Sequence, residues 1–231
     1  MPPLLEVRQL VRLAAYFGIN DNQARVALSR MAARGEVVAQ GDGTYALAGR
    51  LAQRAERLAV ARSGATGPYD GTWHLVVVTA AGDPAAIRQR RRHALSVARL
   101  GELRDAVWVR PANLDVELDE ATCRAVLAFT TVPRESAPAL AAAAFDLTGW
   151  ARRAAALLEL LDATTLNGLS DLAVGFETSA TVLRHLQRDP LLPAPLLPSA
   201  WPGRALRARF DAFDTAYRVL LRDAHRAALA T

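Results

Sequence analysis

A segment near the start of the chain carries side chains that suit hydrogen bonding to nucleic-acid bases. Residues 21–34 predict a helix, and one side of it, on a wheel of about 100° per residue, is small and polar with flanking arginines. That side carries Asn22, Val26, Ser29 and Ala33, and Arg25 and Arg30 flank it. Side chains of these types fit a DNA major groove, where guanidinium and amide groups pair with base edges. The segment therefore predicts a recognition helix.

Two helices and a turn are expected to position this face. Leu4–Phe17 places apolar residues at helical spacing, and Gly18 then accepts the left-handed backbone that commonly ends a helix. Asn20 and Gln23 occupy the two positions of a capping box at the start of the next helix. The opposite side of that helix is apolar and is predicted to be buried: Ala24, Ala27, Leu28 and Met31.

A β-hairpin is predicted after the recognition helix. Residues 36–40 and 44–47 predict two short strands, and the Gly-Asp-Gly turn between them is typical of a hairpin. Helix, turn, helix and hairpin in this order predict a winged helix-turn-helix. In such a domain we expect Arg34 and the wing residues at 41–45, Tyr45 among them, to hold the DNA backbone. A helical hairpin followed by an incidental turn is the alternative.

The basic charge of the chain is concentrated in this N-terminal region. All 28 basic residues are arginine, and residues 1–62 hold nine of them against five acidic residues. Residues 63–150 and 151–231 are close to balance. A small basic module favours a polyanion such as DNA as its partner. An ordinary solvated surface would also explain the net charge.

The middle of the chain, residues 68–134, alternates strand and helix signals. Three apolar, β-branched stretches predict strands: residues 72–79, 106–111 and 125–132. Asp83-Pro84 predicts the start of a helix, because proline is favoured in the first turn. Residues 118–124 are long enough for barely two turns of a second helix. This order predicts an α+β sandwich of ferredoxin-like type. The run Arg90-Arg91-Arg92 is a second candidate phosphate contact, and a solvated helix face explains it equally well.

The last third of the chain predicts a helical domain with a Pro-rich interruption at residues 189–202. Its longest apolar stripe at helical spacing comprises Leu206, Phe210, Phe213, Tyr217, Leu220, Leu221 and Ala224. We expect this stripe to be core, and any exposed part of it could form a dimer face. The predicted fold class is therefore α+β, with three domains: residues 1–62, 68–134 and 145–231.

The sequence contains no recognisable catalytic or metal-binding pattern. It lacks a phosphate-binding loop, a dinucleotide fingerprint, a zinc-protease helix and a nucleophile elbow. The four His are isolated, and Cys123 is predicted to be a buried free thiol. We therefore predict no catalytic residue, no cofactor and no metal. The lack of a signal peptide and of a transmembrane-length apolar run predicts a cytoplasmic protein without a membrane partner.

Four segments resemble one known protein family, and they occur in the family's order over most of the chain. They are YFGINDNQARVALSRMAARGEV (residues 16–37), YDGTWHLVVV (69–78), AVWVRP (106–111) and RDPLLPAPLLPSAWPGRAL (188–206). The last segment is the most specific, and Trp73 matches the aromatic residue expected in the second. Together these segments resemble the PaaX family of phenylacetic-acid degradation repressors.

The resemblance implies an architecture and a function. The chain would consist of a winged helix, a ferredoxin-like domain similar to CRISPR adaptation nucleases, and a C-terminal helical domain. Two such chains would bind a palindromic operator as a homodimer. The activity would be transcriptional repression in phenylacetate catabolism, released by an aryl-acetyl-coenzyme A thioester such as phenylacetyl-CoA. No residue of the sequence identifies the effector site. The family carries a further helix before the segment matching Leu4–Phe17. Either the true start lies upstream of Met1, or the winged helix lacks its first helix.

Two alternative functions are compatible with the sequence. One is a metal-dependent nuclease built on the middle domain, for which Asp83 is the nearest acidic residue to the end of the first predicted strand. The other is a partner-binding protein that has lost DNA contact through its shortened N-terminus. A protein of this second kind would show no salt-sensitive affinity for DNA.

Overall fold

The computed structural model describes residues 5–41 and 43–230, and its helices and antiparallel sheets confirm the α+β fold class. The helices are α1 (Val7–Ala15), α2 (Asp21–Ala33), α3 (Gly49–Ser63), α4 (Ala85–Val97), α5 (Glu120–Cys123), α6 (Ala137–Ala144), α7 (Leu147–Ala163), α8 (Leu172–Leu186) and α9 (Gly203–Ala230). The strands are β1 (Leu5–Glu6), β2 (Val37–Ala39), β3 (Thr44–Leu47), β4 (Trp73–Val78), β5 (Gly101–Arg104), β6 (Val107–Pro111) and β7 (Val126–Thr131).

The described chain forms two compact units, each built from segments that are not consecutive in sequence. The first unit holds the residues up to Ser63, then Ala155–Gln187, then those from Ala205 onward. The second unit holds Gly64–Ala154 and Arg188–Arg204. The chain therefore passes from one unit to the other at four points. The three-domain division of the sequence stays a prediction.

The N-terminal part of the first unit has the strand and helix order of a winged helix-turn-helix. β1 directly precedes α1 and pairs with β3, and β3 also pairs with β2, which gives the sheet order β1-β3-β2. Helices α1 and α2 contact each other across a turn in which Gly18 has a φ of 72°. The hairpin of β2 and β3 then follows α2, where the wing is expected.

The start of α2 has the predicted capping box. The Oδ1 atom of Asn20 accepts from the backbone N–H of Gln23 at 2.9 Å, and the Oε1 atom of Gln23 accepts from the backbone N–H of Asn20 at 3.0 Å. These bonds satisfy backbone donors that a helix start otherwise leaves unpaired. Ala24 on the inner side is buried, but Ala27 is exposed. The prediction for Ala27 is therefore wrong, and the buried side of α2 is narrower than expected.

Helices from the C-terminal half complete the first unit. The predicted stripe of α9 is buried at Leu206, Phe210, Phe213, Tyr217, Leu220 and Ala224. The hydroxyl of Tyr217 donates to the carbonyl of Leu172 on α8 at 3.1 Å. Helix α3 packs against α8, and Phe17 meets Phe176 of α8 edge-on, with ring centroids 5.6 Å apart. The C-terminal helices therefore support α3 and the turn between α1 and α2 directly.

One arginine joins α3 to α9. Arg62 donates to Asp211 at 2.8 Å and to Asp214 at 2.6 Å, and its guanidinium lies 5.5 Å from the ring centre of Phe210. Asp214 is buried and also accepts from Arg218 at 2.6 Å. Two arginines thus balance a carboxylate that would be costly to bury alone. The end of α3 is fixed to the C-terminal helix by this network.

The second unit contains a four-stranded antiparallel sheet in the order β5-β6-β4-β7. The predicted ferredoxin-like topology is formed by six elements in chain order, namely β4, α4, β5, β6, α5 and β7. β5 is an additional strand that the sequence pattern does not predict, because two of its four residues are charged. Gly101 allows its close approach to α6, since a Cβ there would lie 2.6 Å from the carbonyl oxygen of Ala144.

Apolar cores cover both faces of this sheet. One core contains Val76, Leu95, Leu100 and Trp108. The other contains Trp73, Val109, Ala141, Leu147, Leu192 and Leu196. The indole N–H of Trp73 donates to the hydroxyl of Tyr69 at 2.9 Å. The YDGTW part of the second recognised segment therefore helps to anchor a core tryptophan.

The Pro-rich segment Arg188–Arg204 belongs to the second unit. The amide of Asn113 donates to the carbonyl of Leu191 at 2.8 Å, and Trp201 stacks on Trp150 with ring centroids 4.4 Å apart. Leu192 and Leu196 of the segment lie in the core. The most specific of the four recognised segments therefore has a packing role.

The buried Arg110 contacts Asn113, the residue that binds the Pro-rich segment. Arg110 on β6 donates to the Oδ1 atom of Asn113 at 3.2 Å and to the carbonyl of Pro111 at 3.1 Å. Burial, together with the nearby positive charge of Arg99, lowers the pKa of Arg110 to about 10. The guanidinium thus orients the same asparagine that holds the Pro-rich segment.

Candidate nucleic-acid interface

The five residues predicted to contact base edges lie on one exposed side of α2. All five side chains are exposed: Asn22, Arg25, Val26, Ser29 and Arg30. Val26, the apolar residue among them, exposes 40% of its surface. The capping box and the buried Ala24 fix the helix from its other side. This surface is available to a ligand without any rearrangement of the first unit.

Arg25 and Arg30 flank the small residues of this surface. Five residues of helix separate them by about 7–8 Å along the axis. Neither forms an ion pair with any carboxylate of the described residues. An exposed guanidinium without a carboxylate keeps five donors for a ligand. Its planar fork matches bidentate acceptors such as phosphate or the O6 and N7 atoms of guanine.

Arg34 ends α2 and shares a carboxylate with a residue of α3. Its guanidinium donates to Glu36 at 2.9 Å, and Arg50 donates to the other carboxylate oxygen at 3.2 Å. The hydrogen bond from Arg34 holds the pKa of the Glu36 carboxyl below its usual range. The three side chains carry a net charge of +1. Sequence reasoning does not find Arg50, because 14 residues separate it from Glu36 and no local spacing relates them.

The wing turn depends on glycines with a left-handed backbone. Gly41 and Gly43 have φ values of 87° and 71°, and the backbone N–H and hydroxyl of Thr44 both donate to the carbonyl of Gly41. Asp42, part of the predicted wing contact, lies outside the described residues. Tyr45 lies on the central strand β3 and is half-buried, so only part of its ring is open to a ligand.

Three sequence models of one family match the chain in succession. Residues 1–51 match the PaaX-like protein, residues 66–136 match the PaaX protein central Cas2-like domain, and residues 148–230 match the PaaX-like protein C-terminal domain. The chain belongs to the PaaX-like family. The resemblance inferred from four segments of the sequence is thereby confirmed.

A solved structure is similar to this PaaX-like chain over nearly its whole length. The uncharacterized protein Rv0674 from Mycobacterium tuberculosis is 38% identical, with 96% of this chain and 91% of that chain covered and a TM-score of 0.76. No curated protein sequence matches the chain. The similarity thus covers the N-terminal helices and hairpin, the Cas2-like sheet and the C-terminal helices together.

The acidic residue of the nuclease alternative is engaged in an ion pair in this PaaX-like chain. Asp83 binds the guanidinium of Arg91, which is buried on α4. The neighbouring Arg92 donates to Glu102 at 2.9 Å and lies 5.8 Å from the ring centre of Trp108. Two arginines of the run at 90–92 therefore hold the local structure of the sheet and α4.

The remaining residues with reactive side chains are scattered. Cys123 is exposed, so the prediction that it is buried is wrong; it ends the four-residue helix α5, which is too short to cover it. Within residues 5–41 and 43–230, no three His, Cys, Asp or Glu side chains are grouped closely enough to hold a metal ion. None of the described helices has the length and apolar character needed to cross a membrane.

Proposed function

We propose that this chain is a cytoplasmic DNA-binding transcriptional repressor that uses α2 as its recognition helix. The observation that carries the proposal is the exposed side of α2. There, Arg25 and Arg30 lack carboxylate partners among the described residues and flank small polar side chains. Arg62 of the same unit, by contrast, is held by the carboxylates of Asp211 and Asp214. Membership of the PaaX-like family supports a regulatory role.

In this proposal α2 lies in the major groove of operator DNA. Asn22 and Ser29 hydrogen-bond to base edges, Val26 contacts a thymine methyl group, and the two flanking arginines bind guanine. Arg34 and Tyr45 contact the phosphate backbone, which sets the position of the helix without reading sequence. Affinity for any DNA would then come from the phosphate contacts, and preference for the operator from α2.

The proposal is tested by fluorescence anisotropy with the full chain and a labelled duplex from upstream of its own gene. Titrations at two salt concentrations are made with excess nonspecific competitor DNA. Binding that resists competitor and weakens with salt is expected of a specific DNA-binding protein. The proposal would be contradicted if nonspecific competitor DNA displaces the labelled duplex, or if the chain does not bind the duplex at all. Either result would favour the partner-binding alternative.

The repressor is further proposed to act as a homodimer through β7. This strand is an edge of its sheet and pairs only with β4 in the described chain. Leu127, Phe129 and the adjacent Val132 expose 54%, 51% and 67% of their surfaces. Apolar side chains beside an unpaired strand edge favour pairing with another edge. Two copies of β7 related by a twofold axis would pair antiparallel, which matches a palindromic operator.

Phe129→Asp is expected to convert the dimer to a monomer, because it places a charge in the apolar contact between two β7 strands. Size-exclusion chromatography with light scattering measures the mass. Operator affinity should fall roughly 100-fold, since a monomer loses the gain from binding two half-sites at once. Val219→Asp on α9, where the side chain is 44% exposed, is the matched control and should keep the dimer mass. A dimeric Phe129→Asp variant would rule out β7.

The proposed effector is an aryl-acetyl-coenzyme A thioester, as the relation to phenylacetic-acid repressors suggests, and phenylacetate catabolism is the proposed pathway. An effector that binds the DNA-free form more tightly shifts the population of dimers away from DNA. Phenylacetyl-CoA should therefore lower the anisotropy of the preformed complex, while free coenzyme A and phenylacetate should not. An unchanged signal at saturation would exclude this thioester as the effector.

A further inference from the structure

Helix α3 carries a stripe of basic side chains, the α3 arginine stripe, formed by Arg50, Arg54 and Arg57. Their spacing of four and three residues places them within about 60° of one another on the helix. They follow each other at about 6 Å and then about 4.5 Å along the axis. All three side chains are exposed.

The stripe begins where the recognition helix ends. The backbone N–H of Ala48 donates to the carbonyl of Glu36 at 2.8 Å. A Cβ at Gly49 would lie 2.7 Å from the carbonyl oxygen of Gly35, so the two backbones touch at this point. Arg50 then shares the carboxylate of Glu36 with Arg34, the proposed backbone contact of α2. The first residue of the stripe therefore lies beside the proposed DNA surface.

The rest of the stripe has no structural partner in the described chain. Arg54 and Arg57 form no ion pair there, although Arg62, one turn further along the same helix, is held by two carboxylates and an aromatic ring. Helix α3 thus has paired arginines near its two ends, Arg50 and Arg62, and, in the part of the chain that the structure describes, unpaired ones between them. Two adjacent guanidiniums without carboxylates attract a polyanion more strongly than either alone.

We propose that the α3 arginine stripe binds DNA phosphates next to the recognition site and extends the interface beyond α2 and the wing. The inference rests on the proposed DNA-binding function. Phosphate contacts carry no sequence information, so the stripe adds affinity for every duplex and positions α2 along the groove. Its contribution falls as salt rises, because each phosphate contact releases counterions.

The test compares Arg54→Gln/Arg57→Gln with a control that removes the same charge elsewhere in the first unit. The control is Arg184→Gln/Arg222→Gln, two exposed arginines of α8 and α9 without described carboxylate partners. Gln is a good helix former, so both variants should keep the wild-type circular dichroism and melting temperature. Anisotropy titrations of the full chain, on the upstream duplex and on a scrambled duplex, are made across a series of salt concentrations.

The stripe variant should lower the slope of log affinity against log salt by about 1.8, since each lost phosphate contact changes it by about 0.9. Affinity for the upstream and scrambled duplexes should fall by the same factor, so their ratio stays constant. The control should match the wild type. The proposed role of the stripe is rejected if the stripe variant keeps the wild-type salt slope, or if the control loses as much slope as the stripe variant. The repressor proposal is unaffected by either result. A wild-type chain that binds no DNA overturns both.

Discussion

Replacing Arg25 and Arg30 together by alanine is expected to remove the preference for operator over scrambled DNA. Both guanidiniums are exposed, and their truncation breaks no ion pair of the described chain. A bidentate contact between arginine and a base contributes about 1–3 kcal/mol of discrimination, or about fivefold to 150-fold for each residue. Anisotropy titrations of the two single variants and the double variant on both duplexes measure the loss.

The matched control for this experiment is Arg184→Ala/Arg222→Ala, which removes two exposed charges from the same unit. It should leave the affinity for both duplexes, and their ratio, at the wild-type values. The Arg25 and Arg30 variants differ from the α3 stripe variant in the quantity they change: the ratio of affinities in one case, the salt slope in the other. If both single variants keep wild-type affinity and preference, α2 is not in the DNA interface.

Gly175→Ala is expected to destabilise the protein, although alanine normally favours a helix over glycine by up to about 1 kcal/mol. Gly175 is buried within α8, and a Cβ there would lie 2.5 Å from the ring of Tyr217. The ring cannot move aside freely, because its hydroxyl donates to the carbonyl of Leu172. Overpacking of this kind costs about 1–3 kcal/mol, which outweighs the gain in helix propensity.

Thermal unfolding followed by circular dichroism measures this effect. After the gain in helix propensity is subtracted, the net loss is up to about 2 kcal/mol, and each kcal/mol lowers the melting temperature of a chain of this size by roughly 2–4 °C. Gly168→Ala is the matched control, because the backbone at Gly168 is extended and a Cβ there meets no atom within 4 Å. Its melting temperature should stay unchanged. A higher melting temperature for Gly175→Ala would show that the Tyr217 ring yields.

The features that sequence reasoning predicts correctly depend on neighbours along the chain. The capping box at Asn20 and Gln23 spans three residues, and the exposed side of α2 follows from helical spacing. The stripe of α9 repeats every three or four residues over several turns, so its burial is also predictable. The same holds for the apolar strand β4, whose composition alone indicates a central position.

The features that sequence reasoning misses depend on contacts between distant residues. Strand β5 is polar and pairs because its neighbour β6 presents an edge to it. Cys123 is exposed because α5 is a single turn, which apolar pattern alone does not reveal. The sharing of Glu36 by Arg34 and Arg50, and the burial of Arg91 against Asp83, likewise arise only once the chain is folded.

The chain passes four times between its two units, and this order bears on when the first unit, which holds the proposed DNA-binding surface, is completed during synthesis. The segment up to Ser63 leaves the ribosome first, but its partners in the first unit begin at Ala155 and Ala205. Arg62 meets Asp211 and Asp214 only after nearly the whole polypeptide has been made. A nascent chain that ends before Ala155 therefore carries α2 without α8 and α9, the helices that complete its unit.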